Sequence, residues 1–125
     1  MDMNMDKLNA RMEYLSILTE EDIADDQMPL QEESRIVLYK FIDLITLPHP
    51  TTAMTQDGKL YAKWYTDNGL FSMVFYSDTK IKVVYKDESW QQYDFYTIKD
   101  LVRFVEDIKN KHTIYSSKAE INENS

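Results

Sequence analysis

Residues 59–76, KLYAKWYTDNGLFSMVFY, contain two alternating runs that flank an Asp-Asn-Gly segment. In the first run Leu60, Ala62 and Trp64 share one face, because successive side chains of a strand point to opposite sides. The segment at residues 67–69 separates this run from a second one, and Asn-Gly is a preferred hairpin turn because both residues tolerate positive φ. The stretch therefore predicts a β-hairpin with Trp64 anchored in the core.

The alternation continues beyond this hairpin. Polar turn segments at residues 77–79 and 86–89 each precede a further run of strand-forming residues. This order predicts a four-stranded antiparallel meander over residues 59–96. Helical spacing of apolar residues predicts helices at about residues 6–18, 30–46 and 98–110, with a short helical turn after Thr19. Pro29 suits the start of the second helix and Pro48 its end, while Thr97 is a typical cap for the third.

These elements predict an α+β fold. We expect a four-stranded antiparallel β-meander with two N-terminal helices and one C-terminal helix packed mainly on one face. A chain of 125 residues suits a single core, so we expect one domain over residues 1–112. Periodicity is lost from about Thr113, which predicts a frayed or disordered tail over residues 113–125.

The composition excludes several classes of protein. The chain has no cysteine, so it forms no disulfide framework and has no thiolate site. Its first residues lack a secretory signal pattern, and no apolar run approaches the roughly 20 residues that span a bilayer. We therefore expect a cytoplasmic protein with no membrane partner.

The negative charge is concentrated at one end of the chain. The net charge is −8, and residues 1–45 contain eleven acids against four bases, or −7. Such a field repels polyanions and attracts basic surfaces. The distribution therefore favours a protein or nucleoprotein partner with a basic surface and disfavours direct nucleic-acid binding.

No pattern of catalytic, cofactor-binding or metal-ligating residues is present. The two histidines, His49 and His112, are distant in sequence and suit a loop and a helix end. With only Gly58 and Gly69, the chain cannot form a glycine-rich phosphate loop. The acidic run at residues 20–26 lacks the alternating spacing and central glycine of a calcium loop. We therefore expect no enzymatic activity, no cofactor and no bound metal.

Aromatic residues are concentrated in the predicted sheet, where residues 61–96 contain eleven of the sixteen. If helices cover one face, part of this set stays exposed on the other. Exposed Tyr and Trp are typical of protein interfaces, although cross-strand aromatic pairs also simply stabilise sheets, and both interpretations stay open. The predicted partner-binding residues are an acidic group and an aromatic group: Glu20, Glu21, Asp22, Asp25, Asp26, Tyr61, Tyr65, Tyr76, Trp90 and Tyr96.

A short part of the chain resembles a known pattern. Residues 47–50 (LPHP), 56–58 (QDG) and 62–64 (AKW) resemble small uncharacterised bacterial proteins with a proline-flanked segment, a DG turn and a tryptophan-bearing strand. The resemblance covers residues 47–76 and differs at Lys63, where that pattern has an acid. It implies a sheet and no activity. In composition alone, the chain is similar to antitoxins, immunity proteins and phage-encoded inhibitors of bacterial defence.

The leading functional hypothesis is a non-enzymatic, acidic protein-binding factor. Most concretely, we expect an inhibitor, antitoxin or phage anti-defence protein that blocks a basic surface of a protein or nucleoprotein. The alternatives are a homodimeric structural protein that assembles through its aromatic sheet face and, as the weaker one, a small carboxylate-dependent enzyme.

Overall fold

The computed structural model describes residues 7–12 and 30–117, and the elements of these ranges form an α+β fold with one antiparallel sheet. Its helical elements are residues 7–12 (α1), Glu32–Leu44 (α2) and Ile98–Lys111 (α3). Its strands are Thr51–Met54 (β1), Leu60–Thr66 (β2), Leu70–Ser77 (β3), Lys80–Lys86 (β4), Trp90–Phe95 (β5) and Ile114–Tyr115 (β6). The predicted class and the antiparallel sheet are thus confirmed.

The sheet has more strands than the sequence predicts. Its order is β1-β2-β3-β4-β5, and β6 pairs with β2 beyond the end of β1. The predicted meander corresponds to β2–β5, so the expectation of four strands is wrong by two short strands. β1 has four residues and β6 has two, which is too short for a periodic pattern to be visible. β6 lies within residues 113–125, the segment expected to be a tail.

The two longer helices lie close to their predicted bounds. In α2, Ser34, Val37 and Phe41 are buried, and Ile45 just beyond the helix is buried while Leu44 is exposed. In α3, the Thr97 hydroxyl accepts a hydrogen bond from the backbone N–H of Asp100, which confirms the predicted cap. Of the predicted N-terminal helix at residues 6–18, only residues 7–12 are described. The helical turn after Thr19 and the role of Pro29 lie outside the described residues.

All three helices pack on one face of the sheet around Trp64. The indole is fully buried, and its ring centroid lies 5.3 Å from that of Phe71 on β3 and 6.1 Å from that of Phe41 on α2. Its Nε1–H donates to the Pro48 carbonyl at 2.8 Å, so the one polar atom of the ring is satisfied. Trp64 therefore joins β2, β3, α2 and the segment before β1.

A buried hydroxyl fixes where α2 crosses the sheet. The Ser34 hydroxyl donates to the Phe75 carbonyl at 2.5 Å and accepts the N–H of Leu60 at 2.7 Å. Leu60 and Phe75 are paired across β2 and β3, so the hydroxyl bridges the two strands. Because unpaired buried polar groups are costly, this contact favours one position of the helix on the sheet.

The turn between β2 and β3 differs from the predicted type. Neither Asn68 nor Gly69 has a positive φ; among the described residues only Gly58, in the turn before β2, does so, at 79°. Instead, the Thr66 hydroxyl accepts the N–H groups of Asn68 at 3.3 Å and Gly69 at 2.9 Å. Glycine is required at 69 by space, since a Cβ there would lie 1.9 Å from the Lys86 carbonyl oxygen.

Replacing Trp64 should remove the centre of the core. We predict that Trp64→Ala lowers the free energy of unfolding by about 3–5 kcal/mol, the usual cost of deleting a buried large aromatic. The matched control is Trp90→Ala, because Trp90 is 61% exposed. Urea unfolding measures both, and equal costs for the two variants would contradict the burial of the Trp64 indole in the core.

Gly69→Ala tests the crowded turn. The added Cβ forces the backbone away from Lys86, so we predict a loss of roughly 1–3 kcal/mol, typical of overpacking. Asn68→Ala should cost much less, because Asn68 has no positive φ to maintain. If Asn68→Ala proved as costly as Gly69→Ala in chemical denaturation, the turn would be of the predicted positive-φ type.

Candidate functional site

The face of the sheet opposite the helices is not covered by any of the described helices or strands. We call it the outer face. The register places Lys63, Ser72, Val84 and Gln92 side by side across β2–β5, and positions two residues away on each strand share this face. Its members are Tyr61, Lys63, Tyr65, Leu70, Ser72, Val74, Tyr76, Lys80, Lys82, Val84, Lys86, Trp90, Gln92 and Asp94.

Lysines lie over the aromatic rings of the outer face. The Nζ atom of Lys63 lies 5.1 Å from the centroid of the Tyr65 ring, and that of Lys86 lies 5.3 Å from Trp90. Lys80 and Lys82 flank the Tyr76 ring at 5.1 and 5.7 Å. These distances are within the roughly 6 Å range of a cation–π contact, and the lysine stems shield the tyrosines from water.

The outer face has a charge opposite to that of the whole chain. It contains four lysines and one aspartate, a local charge of +3, whereas the chain has a net charge of −8. A hydrogen bond with Tyr65 and the proximity of Tyr61 raise the pKa of Lys63 despite its partial desolvation. Lys63 therefore stays cationic at neutral pH, and the outer face is suited to anionic groups.

The structure brings together the aromatic half of the predicted partner-binding residues. Tyr61, Tyr65 and Tyr76 are half-buried on the outer face, and Trp90 is exposed at its end. Tyr96 directly follows β5 and is 65% exposed. The predicted acidic residues Glu20, Glu21, Asp22, Asp25 and Asp26 lie outside the described residues.

Sequence reasoning missed the lysines of β4 as part of this surface. Lys80, Lys82 and Lys86 alternate with the buried residues Ile81 and Val83, so the spacing itself assigns them to the outer face. The net charge of the chain obscured them, because it averages over regions of opposite sign.

A second group of aromatics lies on the inner side, where α3 covers β4 and β5. The ring of Phe104 lies 4.9 Å from Tyr93, 5.2 Å from Phe95 and 5.9 Å from Tyr85. Burial raises the pKa of Tyr85, and the nearby Asp87 adds to the effect. This cluster is the packing of the sheet edge and has no group arranged for chemistry.

The remaining polar features favour structural roles. His112 Nδ1 lies 2.8 Å from Asp67 Oδ1 and links the end of α3 to the turn between β2 and β3. Within residues 7–12 and 30–117, no group of His, Asp and Glu side chains is arranged to hold a metal ion. A cleft of about 160 Å³ beside residues 42–50 is smaller than the roughly 300–1,000 Å³ of typical ligand sites. No helix in the described ranges has the length and apolar character needed to cross a bilayer.

Alkaline pH should weaken the fold. Burial raises the pKa of Tyr85 and of Tyr39 above the ordinary value of 10.0, so the folded chain keeps these protons longer than the unfolded chain. The resulting stability is fully present below that value and is lost as pH rises through the folded-state pKa. We predict that Tyr85→Phe makes this loss less steep, and urea unfolding at neutral pH and at about pH 11 measures it. The exposed Tyr96→Phe is the control; identical pH dependence in the wild type and Tyr85→Phe would contradict the prediction.

Comparison with known proteins adds no relative: no protein family, no characterised protein and no solved structure matches this chain. The resemblance over residues 47–76 therefore stays a prediction.

Proposed function

We propose that this protein is a non-enzymatic binding factor that docks a partner protein on its outer face. The observation that carries the proposal is the row of four lysines over Tyr65, Tyr76 and Trp90 on a sheet face with no described cover. Tyr and Trp provide large, rigid contact areas that are amphipathic, and they are the residues enriched where binding energy is concentrated.

The charge of the outer face indicates the chemistry of the partner. Four lysines against one acid, Asp94, favour a partner surface with Asp and Glu side chains. These carboxylates would steer the encounter and then contact the lysines that lie over the aromatic rings. A single-stranded nucleic acid also combines negative charge with stacking groups. The net charge of −8 opposes a long polyanion, so we favour an acidic protein surface.

The acidic N-terminal third supports a second candidate function of the same class. Residues 1–45 have a charge of −7, which suits an inhibitor, antitoxin or phage anti-defence protein that blocks a basic surface. The two candidates differ in the sign of the partner surface. Neutralising each region of the chain therefore distinguishes them.

We predict opposite effects of two charge-neutralising variants on partner association. The partner is first isolated by affinity purification from the native host, and association rates are then measured at low and high salt. The lysine variant is Lys63→Gln, Lys82→Gln and Lys86→Gln; the acidic variant is Glu20→Gln, Glu21→Gln, Asp22→Asn, Asp25→Asn and Asp26→Asn. For an acidic partner surface, the lysine variant should associate about 10-fold or more slowly at low salt, and the acidic variant faster.

The matched control removes three exposed positive charges from α3, on the other side of the molecule: Lys99→Gln, Arg103→Gln and Lys111→Gln. It should slow association much less than the lysine variant does. Slower association of the acidic variant would instead support the second candidate. Binding of a single-stranded oligonucleotide that the lysine variant loses would overturn docking of a protein on the outer face.

A further inference from the structure

One edge of the sheet, the outer edge of β5, is unpaired within the part of the chain that the structure describes. β5 forms six consecutive residue pairs with β4 in an uninterrupted register. Along its other side, alternate backbone N–H and C=O groups face away from the sheet. Such groups are a template for pairing with another strand.

β5 has few of the features by which edge strands usually avoid pairing, and its one charged residue is Asp94. Its sequence, WQQYDF, has no proline and no lysine, and no bulge interrupts its register. The opposite edge is different: β1 has four residues, β6 has two, and Pro48 and Pro50 precede β1. Among the described residues, the two most exposed large aromatics are Trp90, the first residue of this strand, and Tyr96, which directly follows it, at 61% and 65% exposure.

We propose that β5 is the contact of a homodimer, in which it pairs antiparallel with β5 of a second copy about a twofold axis at Tyr93. The contact extends the five-stranded path β1–β5 of each copy into one sheet across both. This edge contact is distinct from docking on the outer face and does not depend on that proposal.

The sequence of β5 is complementary to itself in this register. With Tyr93 opposite the partner's Tyr93, Trp90 faces the partner's Tyr96, and Gln92 faces the partner's Asp94. Aromatic pairs directly across strands stabilise a sheet, and the amide of Gln92 can donate to the carboxylate. Every opposed pair shares a face, as antiparallel strands require.

Neighbouring registers are less favourable. An axis at Asp94 places two carboxylates directly opposite each other, which destabilises a strand pair. An axis at Gln92 places Trp90 opposite the partner's Asp94 and leaves Tyr96 beyond the contact. An axis between residues would oppose side chains of different faces. Of these registers, only the one with its axis at Tyr93 pairs both exposed aromatics, Trp90 and Tyr96, and keeps the Asp94 carboxylates of the two copies apart.

The test exploits Gln92, an exposed residue of the outer face. In the proposed register, Gln92→Lys places a cation opposite the partner's Asp94, and Gln92→Glu places an anion there. Each pair occurs twice in the dimer, so the dissociation constant should fall roughly 2- to 30-fold for lysine and rise by a similar factor for glutamate. Sedimentation equilibrium over a wide concentration range measures both.

Asn110→Lys and Asn110→Glu are the matched controls, since they change the charge equally at an exposed site on α3. They should produce smaller shifts than the variants of Gln92. Because each copy has a net charge of −8, dimerisation of the wild type should also strengthen as salt is raised.

Three outcomes would overturn the proposal. The first is a wild-type protein that stays monomeric throughout the concentration range at high salt. The second is weakening by both Gln92 variants, which is expected if the axis lies at Gln92 and like charges meet. The third is a dimer whose dissociation constant is unchanged by the Gln92 substitutions but which Lys63→Glu abolishes. This result would place the contact on the outer face.

Discussion

The direction of one side chain, Trp64, determines which residues of the sheet are inside and which are outside. The indole packs between Phe41 and Phe71, and its Nε1–H donates to the Pro48 carbonyl. These packing and hydrogen-bond partners are available only on the side of the sheet that carries the helices. A strand alternates with a period of two, and therefore Lys63 and Tyr65 must point outward. Through the register, the same choice extends to β3, β4 and β5. The composition of the outer face is thus a consequence of the core.

Long periodic segments were predictable from the sequence, and contacts between distant segments were not. The alternation around Trp64 and the stripe of Leu101, Val105 and Ile108 are local patterns, and both predicted elements form as expected. The two residues of β6 form a strand because they pair with β2, and a segment of two residues is too short for its own sequence pattern to predict such pairing. Similarly, the Asn-Gly pair predicted a positive-φ turn, but glycine is required at position 69 because the Lys86 carbonyl leaves no room for a Cβ atom. In each case a tertiary contact overrides or supplements the local preference.

The candidate site was predictable in its aromatic half only. Tyr61, Tyr65 and Tyr76 follow from alternation, as soon as helices are expected on a single face. The lysines follow from the same alternation, but charges counted over long segments of the chain conceal this local group of lysines. Electrostatic steering depends on the local field within a Debye length of about 8–10 Å, so a net charge counted over the whole chain does not describe the sheet face.

Trp90 lies where the two surfaces proposed for binding meet. On one side its ring lies beneath the Lys86 ammonium at the end of the outer face, and on the other it flanks the unpaired edge of β5. A dimer through β5 would join two outer faces into one continuous surface with twice the lysines. A partner with repeated acidic groups would then bind both halves, and the second contact would benefit from a high effective concentration. Because binding and dimerisation would share Trp90, any effect of one equilibrium on the other would be reciprocal and of the same factor. In that case the edge and the face would be two parts of one thermodynamic system, linked by a single exposed indole.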